Sequence, residues 1–183
     1  DAGWTRFIFD QYHIPFQVIR PGDFEKTDLG KDFDVVVFPS EDKSILMTGK
    51  YKSGDDYIPS SYPPEFTKGM GDKGMEKLMV FLDGGGIIVS WGESTELFAV
   101  PLTIKRNETE KEDFKLPFRD ISATLKEQKV YCPGSLLKVE LTSGHPLTAG
   151  MPSRVGVFSR GTPAFATQIP VFDMDRRVIA SYP

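Results

Sequence analysis

Two runs of consecutive apolar, largely β-branched residues constrain this chain more than any other feature: FDVVVFPS at 33–40 and IIVSW at 87–91. A strand with one solvated face alternates apolar and polar side chains. An unbroken apolar run instead fits a strand covered on both faces, as in a parallel sheet. Between the two runs, residues 73–83 carry Met75, Leu78, Met79 and Leu82 at helical spacing, with Asp72 placed to cap the helix. Strand, helix and strand in that order make a right-handed crossover unit with its helix on the sheet face. Residues 3–12, GWTRFIFDQY, add an amphipathic helix that Pro15 ends, and FQVIR, 16–20, reads as a further strand. The alternation predicts an α/β layer fold with a mainly parallel sheet.

Elsewhere the pattern differs. Residues 41–66 are polar with paired turn signals and read as a long loop; 105–129 hold the mixed charge run KRNETEKEDFK and read as a solvated excursion. SLLKVEL (135–141), RVGVF (154–158), AFATQ (164–168) and RRVIASY (176–182) are strand-like, so the second half is β-rich. A length of 183 residues suits one domain, 1–183, with a sizeable core. The abrupt start at Asp1, without an initiator Met, and the equally abrupt end predict a domain cut from a longer protein, truncated at its C-terminus. A net charge of −4, with basic and acidic residues interleaved, argues against nucleic acid as the main partner. No apolar run approaches a membrane span, and no signal peptide is present.

The glycines of FLDGGGIIVSWGEST, 81–95, raise the question of chemistry. Phosphate-cradling loops place glycines after a strand and before a helix. Here Gly84–Gly86 follow the helix and precede the strand, so they read as a helix stop. Sites on open α/β sheets sit at the carboxyl ends of strands, which draws attention to Ser90-Trp91-Gly92-Glu93-Ser94. A nucleophile elbow needs small neighbours, and Ser90 has bulky Trp91 beside it and Ile88 two positions earlier. A serine nucleophile also needs a base, and the chain holds two histidines, His13 at a helix end and His145 in a Gly-His-Pro turn. Ser90, Glu93, Ser94 and His145 are thus the catalytic candidates of a hydrolase reading. The single cysteine, Cys132, lies in a turn and excludes both an internal disulfide and a Cys-rich zinc site. Neither histidine has a carboxylate three residues on; Asp173 and Asp175 suit a solvated turn better than calcium, and Asn107-Glu108-Thr109 is a glycosylation sequon.

The succession DAGWTRFIFDQYHIPF, FDVVVFPS, PPEFTKGMGDKGMEKLMVFLDGGGIIVSW and YCPGSLLKVELTSGHPLTAGMP covers most of the chain. It resembles the C-terminal glutamine amidotransferase-like domain of certain bacterial zinc carboxypeptidases of the carboxypeptidase A type. The resemblance implies a flavodoxin-like three-layer α/β sandwich. It also implies a secreted or periplasmic parent whose zinc sits in a peptidase domain outside these residues, so no cofactor is expected in this stretch. Amidotransferases hold a nucleophilic Cys in a G-x-C-x-G elbow after the strand that here reads GGGIIVSW, and a later His-x-Glu pair. This chain has Ser90-Trp91-Gly92 at the elbow, and His145 is followed by Pro146 and Leu147. The expectation is a non-catalytic accessory domain that docks on its own peptidase domain or positions peptide or cell-surface glycan. Two alternatives remain: a divergent serine hydrolase at the 90–94 elbow, and a carbohydrate-binding module using Tyr51, Tyr57, Tyr62 and Phe66.

Overall fold

The computed structural model describes residues 2–59, 61–105, 107, 109–130, 132–160, 163–171 and 174–183. Ser60, Arg106, Glu108, Tyr131 and Asp173 are among those outside it, so neither the sequon as a whole nor the Asp173–Asp175 pair is placed. The chain divides into two compact units, Asp1–Lys115 and Leu116–Pro183.

In the first unit, α1 (Ala2–Gln11) is followed by α2 (Leu29–Asp32), β1 (Val35–Phe38), α3 (Lys43–Thr48), the hairpin β2 (Lys50–Ser53) and β3 (Asp56–Pro59), α4 (Gly71–Asp83), β4 (Ile87–Ser90), and a second hairpin, β5 (Leu102–Lys105) with β6 (Lys111–Phe114). The crossover forms: β1 and β4 pair in parallel, Val35 opposite Ile87 and Phe38 opposite Ser90. Between them, α4 buries Gly74, Leu78, Met79 and Phe81, positions spaced to share one helical face. A Cβ on Gly74 would come within 2.6 Å of Met70 Cβ, so the glycine admits close packing there. The core also takes in Phe24, Leu29, Val36, Phe38, Leu97, Phe98 and Leu102.

The stop after α4 is a Schellman motif. Gly86 N–H donates to Phe81 C=O at 2.9 Å and Gly85 N–H to Leu82 C=O at 3.0 Å. Gly85 has φ +90°, and a Cβ on Gly86 would sit 2.3 Å from the Phe81 ring. The glycines therefore turn the chain from helix into strand, away from any phosphate.

The larger expectation is corrected. There is no flavodoxin-like three-layer sandwich and no extended parallel sheet: the described strands form sheets of two or three, mostly antiparallel. Residues 16–20 run without strand structure and are not part of the β1–β4 pair. The physical reason lies in the connections. Parallel pairing needs a long crossover, and among the described strands one crossover supplies it. The others pair antiparallel, β2–β3 and β5–β6 as hairpins, β8–β9 across a longer connection, and β7–β10 and β8–β11 between strands far apart in the chain. The expected loop at 41–66 contains α3, started by Asp42 accepting from Ser44 N–H, and the β2–β3 hairpin turning at Gly54-Asp55. The charge run at 105–129 likewise holds β6 and further structure.

The second unit contains β7 (Phe118–Asp120), α5 (Ser122–Glu127), β8 (Ser135–Leu141), β9 (Arg154–Ser159), β10 (Phe165–Thr167) and β11 (Ala180–Ser181). Its main sheet is antiparallel in the order β11-β8-β9. Val139 is buried on one face; on the other, Glu140 Oε1 lies 3.6 Å from Lys138 Nζ and 3.3 Å from Arg154 Nε. Among the described apolar residues of this unit, Val139 alone is buried. The strand foreseen at 176–182 shortens to the two residues of β11, pairing with Glu140 and Leu141.

Candidate functional site

The elbow after β4 is built by its junction with the end of β1. Trp91 is extended, and Gly92 takes φ +60°, a left-handed turn that sends the chain into a 3-10 helix over Gly92–Leu97. A Cβ at Gly92 would lie 2.3 Å from Ser40 Oγ and 2.6 Å from Ser40 Cβ. Glycine is therefore required twice, by torsion and by space. Ser40 Oγ then accepts the Glu93 N–H at 3.1 Å, tying the turn to the β1 end.

Ser94 is fully buried, at 0% exposure. Its hydroxyl reaches two carbonyl acceptors, Phe38 O at 2.8 Å and Trp91 O at 2.9 Å. Phe38 in turn packs against Phe24 and Phe98, with ring centroids 5.9 Å apart in each pair. Ser94 thus acts as a peg between the two strand ends. Ser90 Oγ donates to Thr95 Oγ1 at 3.3 Å. Glu93 is exposed. Ser90, Glu93 and Ser94 thus sit at the β4 end, the Ser90 hydroxyl directed to Thr95 and the Ser94 hydroxyl to the carbonyls of Trp91 and of Phe38 on β1.

His145 belongs to the second unit. It precedes the 3-10 turn Pro146–Thr148, and its Nδ1 accepts the Leu147 N–H at 3.2 Å. Thr148 Oγ1, buried beside it, donates to Thr142 O at 2.7 Å. The imidazole is a cap for the turn that Pro146 starts.

Trp91 points to α1. A surface recess of about 360 Å³ is lined by Trp4, Thr5, Ile8, Phe9 and Trp91. α1 buries none of its residues. Its amphipathic stripe was legible in the sequence, but its standing open was not, because periodicity locates a face without saying what covers it. Of the aromatics at 51–66, Tyr51 stands opposite Ile58 and Tyr57 opposite Lys52. Strand alternation sends these two rings to opposite faces of the hairpin, so they do not make the coplanar pair that a sugar platform needs. Phe66 carries the Arg20 guanidinium 4.6 Å from its ring centroid.

The acid–base groups with clear shifts are Glu25, Lys73 and Asp175. The Lys73 ammonium, 2.9 Å away, holds the Glu25 carboxyl below the usual glutamate range, and Glu25 raises Lys73 in return. The Arg177 side chain, with the Arg176 N–H, lowers Asp175. Cys132 is half-buried, its Sγ 4.0 Å from Ser159 Oγ. Among the described residues no three His, Cys, Asp or Glu side chains group to hold a metal ion. Among them, too, no helix is long and apolar enough to cross a membrane. In comparisons with protein-family models, curated proteins and solved structures, none matches this chain.

Proposed function

We propose that this chain is a non-catalytic accessory domain that works by docking onto another polypeptide. The observation that carries the reading is the closed elbow. At the strand end where an α/β enzyme presents its nucleophile, Ser94 is fully buried and held by two carbonyls. A hydroxyl so buried, with its proton committed to carbonyls, is not presented to a substrate. The resemblance supplies the partner: the zinc-bearing peptidase domain of a secreted or periplasmic carboxypeptidase, in the same polypeptide.

Two measurements test this. A fluorophosphonate probe should leave the folded chain unlabelled; covalent labelling at Ser90 or Ser94 would establish the serine hydrolase instead. Sequencing of the reading frame upstream of Asp1 should find a His-x-x-Glu with a later His, and a frame without that pattern removes the carboxypeptidase as partner.

A further inference from the structure

Parallel strands occur almost solely inside sheets covered on both faces. The β1–β4 pair departs from this in its face, its edge and its surroundings. Val35 with Ile87 and Val37 with Val89 are register pairs on one face, which Trp91 continues. Val35 is 42% exposed, Ile87 56% and Val89 41%, while Val36 and Phe38 on the opposite face are buried.

The edge is equally open. Ile87 N–H donates to Asp34 C=O at 3.0 Å and Trp91 N–H to Phe38 C=O at 3.4 Å. The odd-numbered amides of β4 therefore point at the even-numbered residues of β1. By alternation, the N–H and C=O groups of Val35 and Val37 point outward from the other edge of β1. Among the described residues no strand pairs with that edge. Unmet backbone donors and acceptors beside valines specify an extended chain as occupant, since a helix has none to offer. The flanks specify its charge. Asp32 and Asp34 precede the strand and Glu41 and Asp42 follow it, against Lys31 and Lys43.

We propose that the free edge of β1 is a strand-addition site for an extended, apolar segment of a partner polypeptide, flanked by Lys or Arg and aligned parallel to Val35–Phe38. Its amides pair with the outward groups of Val35 and Val37. Its basic ends meet the acidic flanks. The inference rests on the docking reading above and names the chemistry of the partner.

The test uses a fluorescein-labelled, acetylated peptide, Lys-Val-Thr-Val-Thr-Val-Lys, titrated with the full chain and followed by anisotropy. Saturable binding is expected. It should weaken about tenfold or more when alternate peptide amides on the pairing side are N-methylated, each lost hydrogen bond being worth about 1 kcal/mol. Glu in place of both Lys should weaken it as well. Val37→Pro should abolish binding, because its N–H is outside the β1–β4 ladder and proline is tolerated on such an edge. Val35→Pro, at the first strand residue, is the second variant if Val37→Pro does not fold. Absence of binding by folded wild type at about 1 mM peptide, the weak limit of specific association, overturns the proposal. So does binding that ignores both N-methylation and the proline variants, which leaves docking intact but not by strand addition. A dimer in light scattering that Val37→Pro dissolves and the peptide does not displace overturns the partner assignment in favour of a second copy. Labelling by the fluorophosphonate probe is a separate readout, so failure of the docking reading itself is recognised independently.

Discussion

Gly92→Ala is the sharpest test of how the elbow is built. Two costs are separable at this position. The torsion, φ +60°, is left-handed, and an L-residue there loses about 1–2 kcal/mol relative to glycine. The added methyl would also stand 2.3 Å from Ser40 Oγ and 2.6 Å from Ser40 Cβ. Ser40 is held by its bond to Glu93 N–H, so the clash must be relieved by moving the end of β1, at about 1–3 kcal/mol for overpacking. The sum is about 2–5 kcal/mol. Urea unfolding followed by tryptophan emission measures it cleanly, because both tryptophans, Trp4 and Trp91, lie in the first unit. The cycle with Ser40→Gly separates the two parts. Removing Ser40's side chain takes away the clash and leaves the torsion, so the double variant should recover about 1–3 kcal/mol of coupling. A Gly92→Ala loss below about 1 kcal/mol, or no coupling to Ser40, would refute the description of a turn fixed by torsion and contact together.

Ser94→Ala should cost about 1–3 kcal/mol in the same assay, since it leaves a buried carbonyl at Phe38 or Trp91 short of a donor, and it should alter no ester hydrolysis. Leu78→Ala, at a site of 0% exposure on α4, should cost about 2–5 kcal/mol through transfer and cavity effects; Val80→Ala, on the exposed side of the same helix, should change stability by about 0.5 kcal/mol or less. For Glu25, whose carboxyl is lowered by Lys73, the sign is fixed: the pair stabilises above the ordinary glutamate value of about 4.3, and the gain is lost as pH falls through the lower folded value. Lys73 is raised, so its share is present below the ordinary lysine value of about 10.4 and is lost as pH rises through the folded one. A pH series of melting temperatures on Glu25→Gln should therefore show a shallower acid slope than wild type, by a small amount because both groups are exposed.

What the sequence disclosed and what it concealed follow from one physical distinction. Signals carried within a segment were readable. The stripe of α4, the Gly84–Gly86 stop, the apolar runs of β1 and β4 and the strand-like composition of β8 and β9 each depend on residues a few positions apart. The Asp42 cap of α3 and the turn at Gly54-Asp55 are also local signals, but β2 and β3 are exposed along their whole length, so the turn signal stands without the half-buried alternation that marks a strand. Signals that depend on a distant partner were misread. FQVIR has the composition of a strand, but strand structure requires a neighbour to accept its hydrogen bonds, and within the described residues it has none. The same reasoning applies to the sheet as a whole. VVVF and IIVS have the composition of strands buried on both sides, and the structure pairs them with each other and leaves one side open. Composition records the environments in which a segment can be stable, and it does not say which of its faces a neighbour covers. The buried serine at the elbow points the same way. Ser94 fastens the two strand ends through the Phe38 and Trp91 carbonyls, and the bond from residue 94 back to residue 38 is one that no local pattern discloses.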